Sequence, residues 1–308
     1  MQELIQIGRR ARGPRLPDFL RKTQSNYIGV QSLKRDLRRL DLNTVCESAR
    51  CPNMHECFDR GAATFMILGN LCTRGCTFCS VPKASPSKTV FTLDPDEPRH
   101  VGEMAARMKL RYVVITSVNR DDLGDGGSEH FARTVGEVRR ALPEARIEVL
   151  TPDFRGDLRA VERVLEAGPN VFNHNMETVR RLYKQVRPQA SYDASLKVLE
   201  HARSFAPGVL TKSGLMAGLG EAEEEVVTLM GDLRGVGVDV VTIGQYLQPS
   251  KRNREVSEYI PLDRYERWRA AGKEMGFKMV FAGPFVRSSY MAELVNEEAA
   301  HRCGGSTS

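Results

Sequence analysis

ATFMILGNLCTRGCTFC, residues 63–79, runs from an apolar, β-prone segment straight into three cysteines spaced C-x3-C-x2-C. The run 63–68 has the length and composition of a buried strand. Similar runs recur downstream at 112–117 (YVVITS), 147–152 (IEVLTP), 171–176 (VFNHNM), 210–216 (LTKSGLM) and 238–244 (VDVVTIG). Between them, apolar residues fall at helical spacing, as in Val101, Met104, Ala105 and Met108, or Val226, Val227, Met230 and Leu233. Strands that alternate with helices predict parallel pairing, because a parallel return needs a crossover. Six such units predict an α/β fold, a partial (β/α)6 barrel with N- and C-terminal extensions. A seventh run, 277–283 (FKMVFAG), is placed to extend or cap the sheet. The corresponding division is 1–60 as a basic N-terminal extension, 61–285 as the barrel and 286–308 as a C-terminal segment with a polar tail.

In parallel barrels, functional residues gather where strands lead into helices. The polar clusters of this chain fall there in succession: CTRGCTFC, SVNRDDLGDGG, PDFRGD, HNMETV, KSGLMAGLGE and QYLQPS. One such cluster is a loop; six on one rim predict a large site.

Length and composition bound the function. A chain of 308 residues with 41% hydrophobic and 27% charged residues has enough material for an ordinary globular core. No apolar stretch approaches a membrane span, and the start lacks the apolar segment of a secretory signal. Glu3 and the short basic segment argue against an organellar transit peptide, so a cytoplasmic location with no membrane contact is expected. Residues 1–45 hold ten basic and four acidic side chains, which accounts for the whole net charge of +6. Such an arm points to an acidic partner or to a solvated terminus. It lacks the interleaved aromatics of a nucleic-acid groove, so no nucleic-acid partner is expected.

Six of the seven cysteines form two trios, Cys46, Cys51 and Cys57 (C-x4-C-x5-C) and Cys72, Cys76 and Cys79. Without an export signal, this clustering suits metal rather than disulfides. Cys303, in a Gly/Ser-rich tail, reads as incidental. Zinc sites favour paired cysteines and a closed set of four ligands. Three thiolates on one short loop instead suit a cubane iron–sulfur cluster with one iron left open to a ligand. Two trios cannot easily share one cubane, so the count points to two clusters, each lacking one protein thiolate. Downstream, Arg287, Ser288, Ser289 and Tyr290 follow the last apolar run. A serine oxygen is a hard, poor ligand for iron, suited to a labile position, although serines beside a strand end are ordinarily hydrogen-bonding residues.

C-x3-C-x2-C directly after the first strand of an α/β barrel resembles the radical S-adenosylmethionine (SAM) enzymes. The resemblance implies that Cys72, Cys76 and Cys79 hold a 4Fe-4S cluster whose free iron chelates the methionine moiety of SAM. Reductive cleavage then yields a radical that abstracts hydrogen from an unactivated carbon. The second trio together with RSSY is similar to the lipoyl synthase family in particular. LNTVCESARCPN, RYVVITSVNRDDLGDGG, VFNHNMETV, TKSGLMAGLGE, IGQYLQPS and GPFVRSSY share that look over residues 18–293. This resemblance implies insertion of two sulfur atoms, at C6 and C8 of an octanoyl-lysine on a lipoyl-carrier domain of lipoyl or glycine-cleavage H type. It further implies a second, auxiliary 4Fe-4S cluster on Cys46, Cys51, Cys57 and Ser289 that is consumed as the sulfur source. A reduced ferredoxin or flavodoxin type protein would supply electrons.

Further site candidates are weaker individually. Asn175 and Glu177 stand at the fourth strand's end, where a bound amino-acid or adenosine group would satisfy them. Arg187 offers a fork of donors to a carboxylate, and Lys212 a charge to a carboxylate or cluster. Ordinary loop or surface roles are the alternative for all four. Asp121, Asp122 and Asp125 would repel phosphate, so their Gly-rich turn is not a phosphate loop. Gln245, Tyr246 and Gln248 are placed to line a ribose or acyl channel. His174 is placed to line the site, and His55 to lie on the surface or behind ligands. Two other functions compete: a different sulfur-inserting or methylthiolating radical enzyme, and a two-cluster electron carrier. The first would carry different second-cluster spacing, and the second would be small and use four cysteines per cluster.

Overall fold

A computed structural model describes residues 17–20, 34–48, 53, 56–57, 62–84 and 92–289, except for the side chains of residues 46 and 48. The β-branched runs form seven parallel strands: β2 (Ala62–Ile67), β3 (Tyr112–Ser117), β4 (Arg146–Leu150), β5 (Val171–Asn173), β6 (Leu210–Ala217), β7 (Val240–Gln245) and β8 (Met279–Gly283). They lie side by side in chain order, and the two-residue β1 (Asn43–Thr44) adds an antiparallel edge against Phe65 and Met66 of β2. No pairing joins β8 to β1, so the barrel is open among the described residues. Six crossover helices return the chain: α1 (Glu97–Arg107), α2 (Ser128–Ala141), α3 (Leu158–Glu166), α4 (Tyr192–Phe205), α5 (Glu223–Gly235) and α6 (Leu262–Glu274).

The two faces of the sheet divide the work. Phe65, Ile115, Val149 and Phe172 occupy one cross-strand row on β2–β5. All four are fully buried with Val101 and Met104 of α1, Phe131 and Val135 of α2, and Val161 and Val164 of α3. Burying one such side chain contributes roughly 1.5–3 kcal/mol, and this outer layer is what holds helices on strands. A second cluster, including Leu215, Ile243, Leu229, Met230 and Trp268, does the same for the later units. Alternation along each strand leaves the opposite face to line the interior, where polar side chains appear.

The loops that end on the active rim are closed by their own side chains. Asp125 accepts from the backbone of Gly127 (3.0 Å) and Glu129 (2.9 Å), which caps α2. Asp122 is engaged by Arg120 (2.8 Å). The paired glycines after Asp125 abut Phe154 and Leu68, not an open ligand surface. Strand β5 is shorter than its sequence pattern: it ends at Asn173, and the backbone turns left-handed at Glu177 (φ 67°). The extended pattern VFNHNM fails there because His174–Glu177 form the rim. No helix among the described residues is long and apolar enough to cross a membrane.

Candidate active site

Cys72, Cys76 and Cys79 stand on the loop leaving β2, and all three thiols are free. They line one cavity of about 300 Å3 over the C-terminal ends of the strands. Neighbouring loops pin this segment. Thr73 N donates to Asn119 O (3.0 Å), Thr77 N to Val186 O (2.9 Å) and Arg254 N to Thr77 O (3.0 Å). Gly75 N donates to Gln189 Oε1 (3.0 Å), and Asn253 Nδ2 to Cys79 O (2.9 Å). The strongest tie is Arg74, which sequence reading passed over. Its guanidinium forks onto Asp121 (2.8 and 2.9 Å) and onto Asp153 (2.7 and 2.8 Å), joining the loops after β2, β3 and β4. Two facing carboxylates around one arginine, each in a loop that follows a strand, were the available signal.

Burial pushes the Cys76 thiol up and the Cys79 thiol up to about 11. Thiolate character there therefore depends on metal, which displaces the proton. Cys72 Sγ accepts from the backbone N–H groups of Arg74 and Asn119, both at 3.4 Å. Hydrogen bonds of this kind to sulfur adjust cluster potential. Among the described residues, no three His, Cys, Asp or Glu side chains converge on a single ion. The three thiols do share one cavity.

The opposite wall carries His174, Asn175, Glu177 and Arg187. Asn175 Nδ2 donates to Glu177 Oε1 (3.1 Å). Burial raises the Glu177 carboxyl above its ordinary range, against the Arg187 cation and the Asn175 bond. Ser117 Oγ, Asn119 Oδ1 and Asn175 Oδ1 are buried cavity-lining atoms without a partner among the described residues. Buried polar atoms are ordinarily bonded, so three orphans around one cavity mark a place for a polar ligand. Gly214 keeps that space open: a Cβ there would lie 2.5 Å from Thr242 Oγ1 and 2.9 Å from Asn175 Oδ1. Three free thiols, orphaned acceptors and a guanidinium thus fit a cluster with an amino-acid-bearing ligand.

Two groups of sequence candidates lie elsewhere. Lys212 sits one step deeper than Gly214 on the same strand face and pairs with Glu148 (2.9 Å). Both are essentially inaccessible, and Tyr112 and Asn173 complete the shell around Glu148 (2.8 and 2.7 Å). Lys212 is therefore a barrel-interior ion pair and not part of the cavity lining. Gln245 bonds to the Ala217, Tyr246 and Glu258 carbonyls, Tyr246 to Arg254 O, and Gln248 to Asn253 O, so all three fasten the loop after β7.

The chain's two remaining motifs approach the same rim. Arg287 and Ser288 line the cavity, and Ser289 is half-buried beside them in sequence. Gly244 permits this, since a Cβ there would lie 2.0 Å from Val286 O. Asn53, between Cys51 and Cys57, donates from Nδ2 to Phe285 O (2.7 Å) across 232 positions. Cys57 is half-buried. The Cys46 side chain, Cys51, His55 and Tyr290 lie outside the described residues, as do most of the basic arm and Cys303.

The radical SAM superfamily model matches residues 66–233. Among curated proteins, the chain is 53% identical over 273 residues to a lipoyl synthase of Thermus thermophilus, covering 88% of this chain and 84% of that one. It is 52% identical to one of Caldanaerobacter subterraneus (87% and 95% covered) and 50% identical to one of Rubrobacter xylanophilus (92% and 87%). Solved structures resemble it in fold alone. Methylornithine synthase has a TM-score of 0.54 at 16% identity (82% and 85% covered), and the FeFe-hydrogenase maturase HydG of Carboxydothermus hydrogenoformans 0.52 at 13% (89% and 79%). With half its residues shared across nearly its full length, the chain belongs to the lipoyl synthase family of radical SAM enzymes.

Proposed function

We propose that the chain inserts two sulfur atoms, at C6 and C8 of an octanoyl group amide-linked to a lysine of a lipoyl-carrier domain. Cys72, Cys76 and Cys79 would hold a 4Fe-4S cluster with one open iron. With SAM bound, that cluster supplies the electron that breaks the sulfonium and so the means of removing hydrogen from carbon. Asn175 Oδ1, with no donor among the described residues, is available to the SAM amino group beside Glu177. Among the described residues the hydrogen bonds of Arg187 to protein all leave from Nη1, so the rest of its fork is available to the SAM carboxylate.

The second cluster is a substrate, the source of both sulfurs, held on Cys46, Cys51, Cys57 and Ser289. One observation carries this reading: the hydrogen bond from Asn53 to Phe285 fastens the upstream cysteine segment to the segment that bears Ser289. A weakly bound alkoxide there leaves readily when a carbon–sulfur bond starts to form. A one-electron donor of ferredoxin or flavodoxin type and a lipoyl or H-type carrier domain complete the system.

The direct test is anaerobic incubation of the reconstituted protein with an octanoyl-lysine peptide, SAM and reductant, followed by mass spectrometry. A gain of two sulfurs is expected, as the dithiol under reductant and, after oxidation in air, as the disulfide with two hydrogens fewer. SAM cleavage with an unaltered peptide would rule the assignment out.

A further inference from the structure

We infer that Tyr183, Ser195 and His174 form a one-way hydrogen-bonded chain that sets the position of Arg187 for a ligand carboxylate. This rests on the reading of Arg187 given above. Four groups follow one another at bonding distance: Arg187 Nη1 to Tyr183 Oη (2.6 Å), Tyr183 Oη to Ser195 Oγ (2.7 Å), Ser195 Oγ to His174 Nε2 (3.0 Å), and His174 Nδ1 to Thr151 O (2.9 Å). All four side chains are buried, and His174 and Arg187 both reach the cavity.

The direction of every proton is determined by what each end can do. A guanidinium only donates, so Tyr183 accepts from Arg187 and gives its own hydrogen to Ser195. A backbone carbonyl only accepts, so His174 carries its proton on Nδ1 and presents a bare Nε2. Ser195 then takes the Tyr183 hydrogen and donates its own to that nitrogen. No other assignment satisfies all four groups. The ring is kept neutral, as this arrangement requires, since burial and the Arg187 charge push His174 down to about 4.

The chain ties three elements to one guanidinium. Tyr183 lies in the short helical turn Tyr183–Val186 that ends at Arg187, Ser195 lies in α4, and Thr151 follows β4. Arg187 Nη1 also donates to Asn175 O (2.8 Å), so the backbone of one ligand-facing residue is included. A guanidinium anchored only through Nη1 keeps its orientation while its other nitrogens stay available. Tyr183, Ser195 and His174 are thus positioning residues that act on the ligand through Arg187.

The experiment measures SAM affinity by equilibrium dialysis on anaerobically reconstituted protein, with iron content and the SAM KM and kcat determined alongside. Tyr183→Phe removes the acceptor for Arg187. His174→Asn keeps a donor toward Thr151 and removes the acceptor for Ser195, whereas His174→Gln restores an acceptor at the Nε2 place. Roughly tenfold weaker SAM binding is expected for Tyr183→Phe and His174→Asn, with iron unchanged and the effect in KM rather than kcat. His174→Gln should recover to within about threefold. If His174→Asn does not fold, Ser195→Ala breaks the same link within a helix that tolerates alanine. Parent-like affinity in Tyr183→Phe and His174→Asn, or equal loss in the Gln and Asn variants, overturns the inference. Arg187→Ala separates the two levels: if it too binds SAM like the parent, the carboxylate reading itself has failed.

Discussion

Arg74 illustrates how much one side chain decides. A buried arginine between two carboxylates is stable only as a set, and removing the cation leaves Asp121 and Asp153 without their partner. Arg74→Ala should cost about 3–5 kcal/mol, read as a lower denaturant midpoint, and should lose iron from the adjacent trio. Arg74→Lys keeps the charge without the fork and should fall between the two, because an ammonium cannot bond both carboxylates bidentately. Acid should expose the same set. Burial opposes the charged form of Asp153, yet its bonds to Arg74 hold it at about 2, below an ordinary carboxylate. A depressed carboxyl stabilises the fold above its unfolded value, and that contribution, on the order of 2 kcal/mol, is lost as pH falls from about 4 to 2. His174, held down to about 4 by burial, adds an earlier loss as pH falls from about 6.5 to 4. Urea midpoints against pH should therefore be flat between about 6.5 and 8, fall again toward 11 as the buried thiols resist ionising, and lack the first acid decline in His174→Gln. Neither effect was legible in the sequence, because the partners of Arg74 come from loops 47 and 79 positions away. Lys212 was misplaced for a related reason. Its strand was read correctly, but not the two-residue alternation that points it at Glu148, a charge in an equally buried strand.

At the scale of elements, the strands were readable because β-branched runs bounded by polar loops have few alternatives, and the six polar clusters do end on one rim. β1 was not readable: two residues carry no periodicity, and only the pairing with Phe65 and Met66 defines it. The segment 284–289 is positioned by an element it does not belong to. Gly244 of β7 lets Val286 pass, and the obstacle for any larger residue is a backbone carbonyl, which cannot rotate aside. Gly244→Ala should therefore shift the segment bearing Ser289. Product should fall on the order of 100-fold while 5′-deoxyadenosine is still released from SAM. Ser289→Ala should show the same division without the displacement. Loss of SAM cleavage in both variants would place the segment in the first site instead. Asn175 and Glu177 were singled out by their strand-end position and Arg187 by its fork of donors, and all three line the cavity. The chain behind Arg187 was not legible, since it is assembled from the loops after β4 and β5, α4 and a turn.

For the molecule as a whole, the proposed two-cluster reading predicts about eight irons per chain after anaerobic reconstitution, and a stable value near four would remove the second cluster. The basic residues of 1–45 predict that added salt weakens binding of an acidic carrier domain. A salt-independent dissociation constant would leave the arm without that role. The barrel itself is a sequence of neighbours, each strand pairing with the next one synthesised, so most of it can consolidate as the chain leaves the ribosome. Among the exceptions, the contact between Asn53 and Phe285 spans 232 positions, more than the 174 between Cys79 and Asn253. One half of it is made at the beginning and the other close to the end, and nothing local can hasten their meeting. The tie between Asn53 and Phe285 can thus close only after the last strand of the sheet has been added.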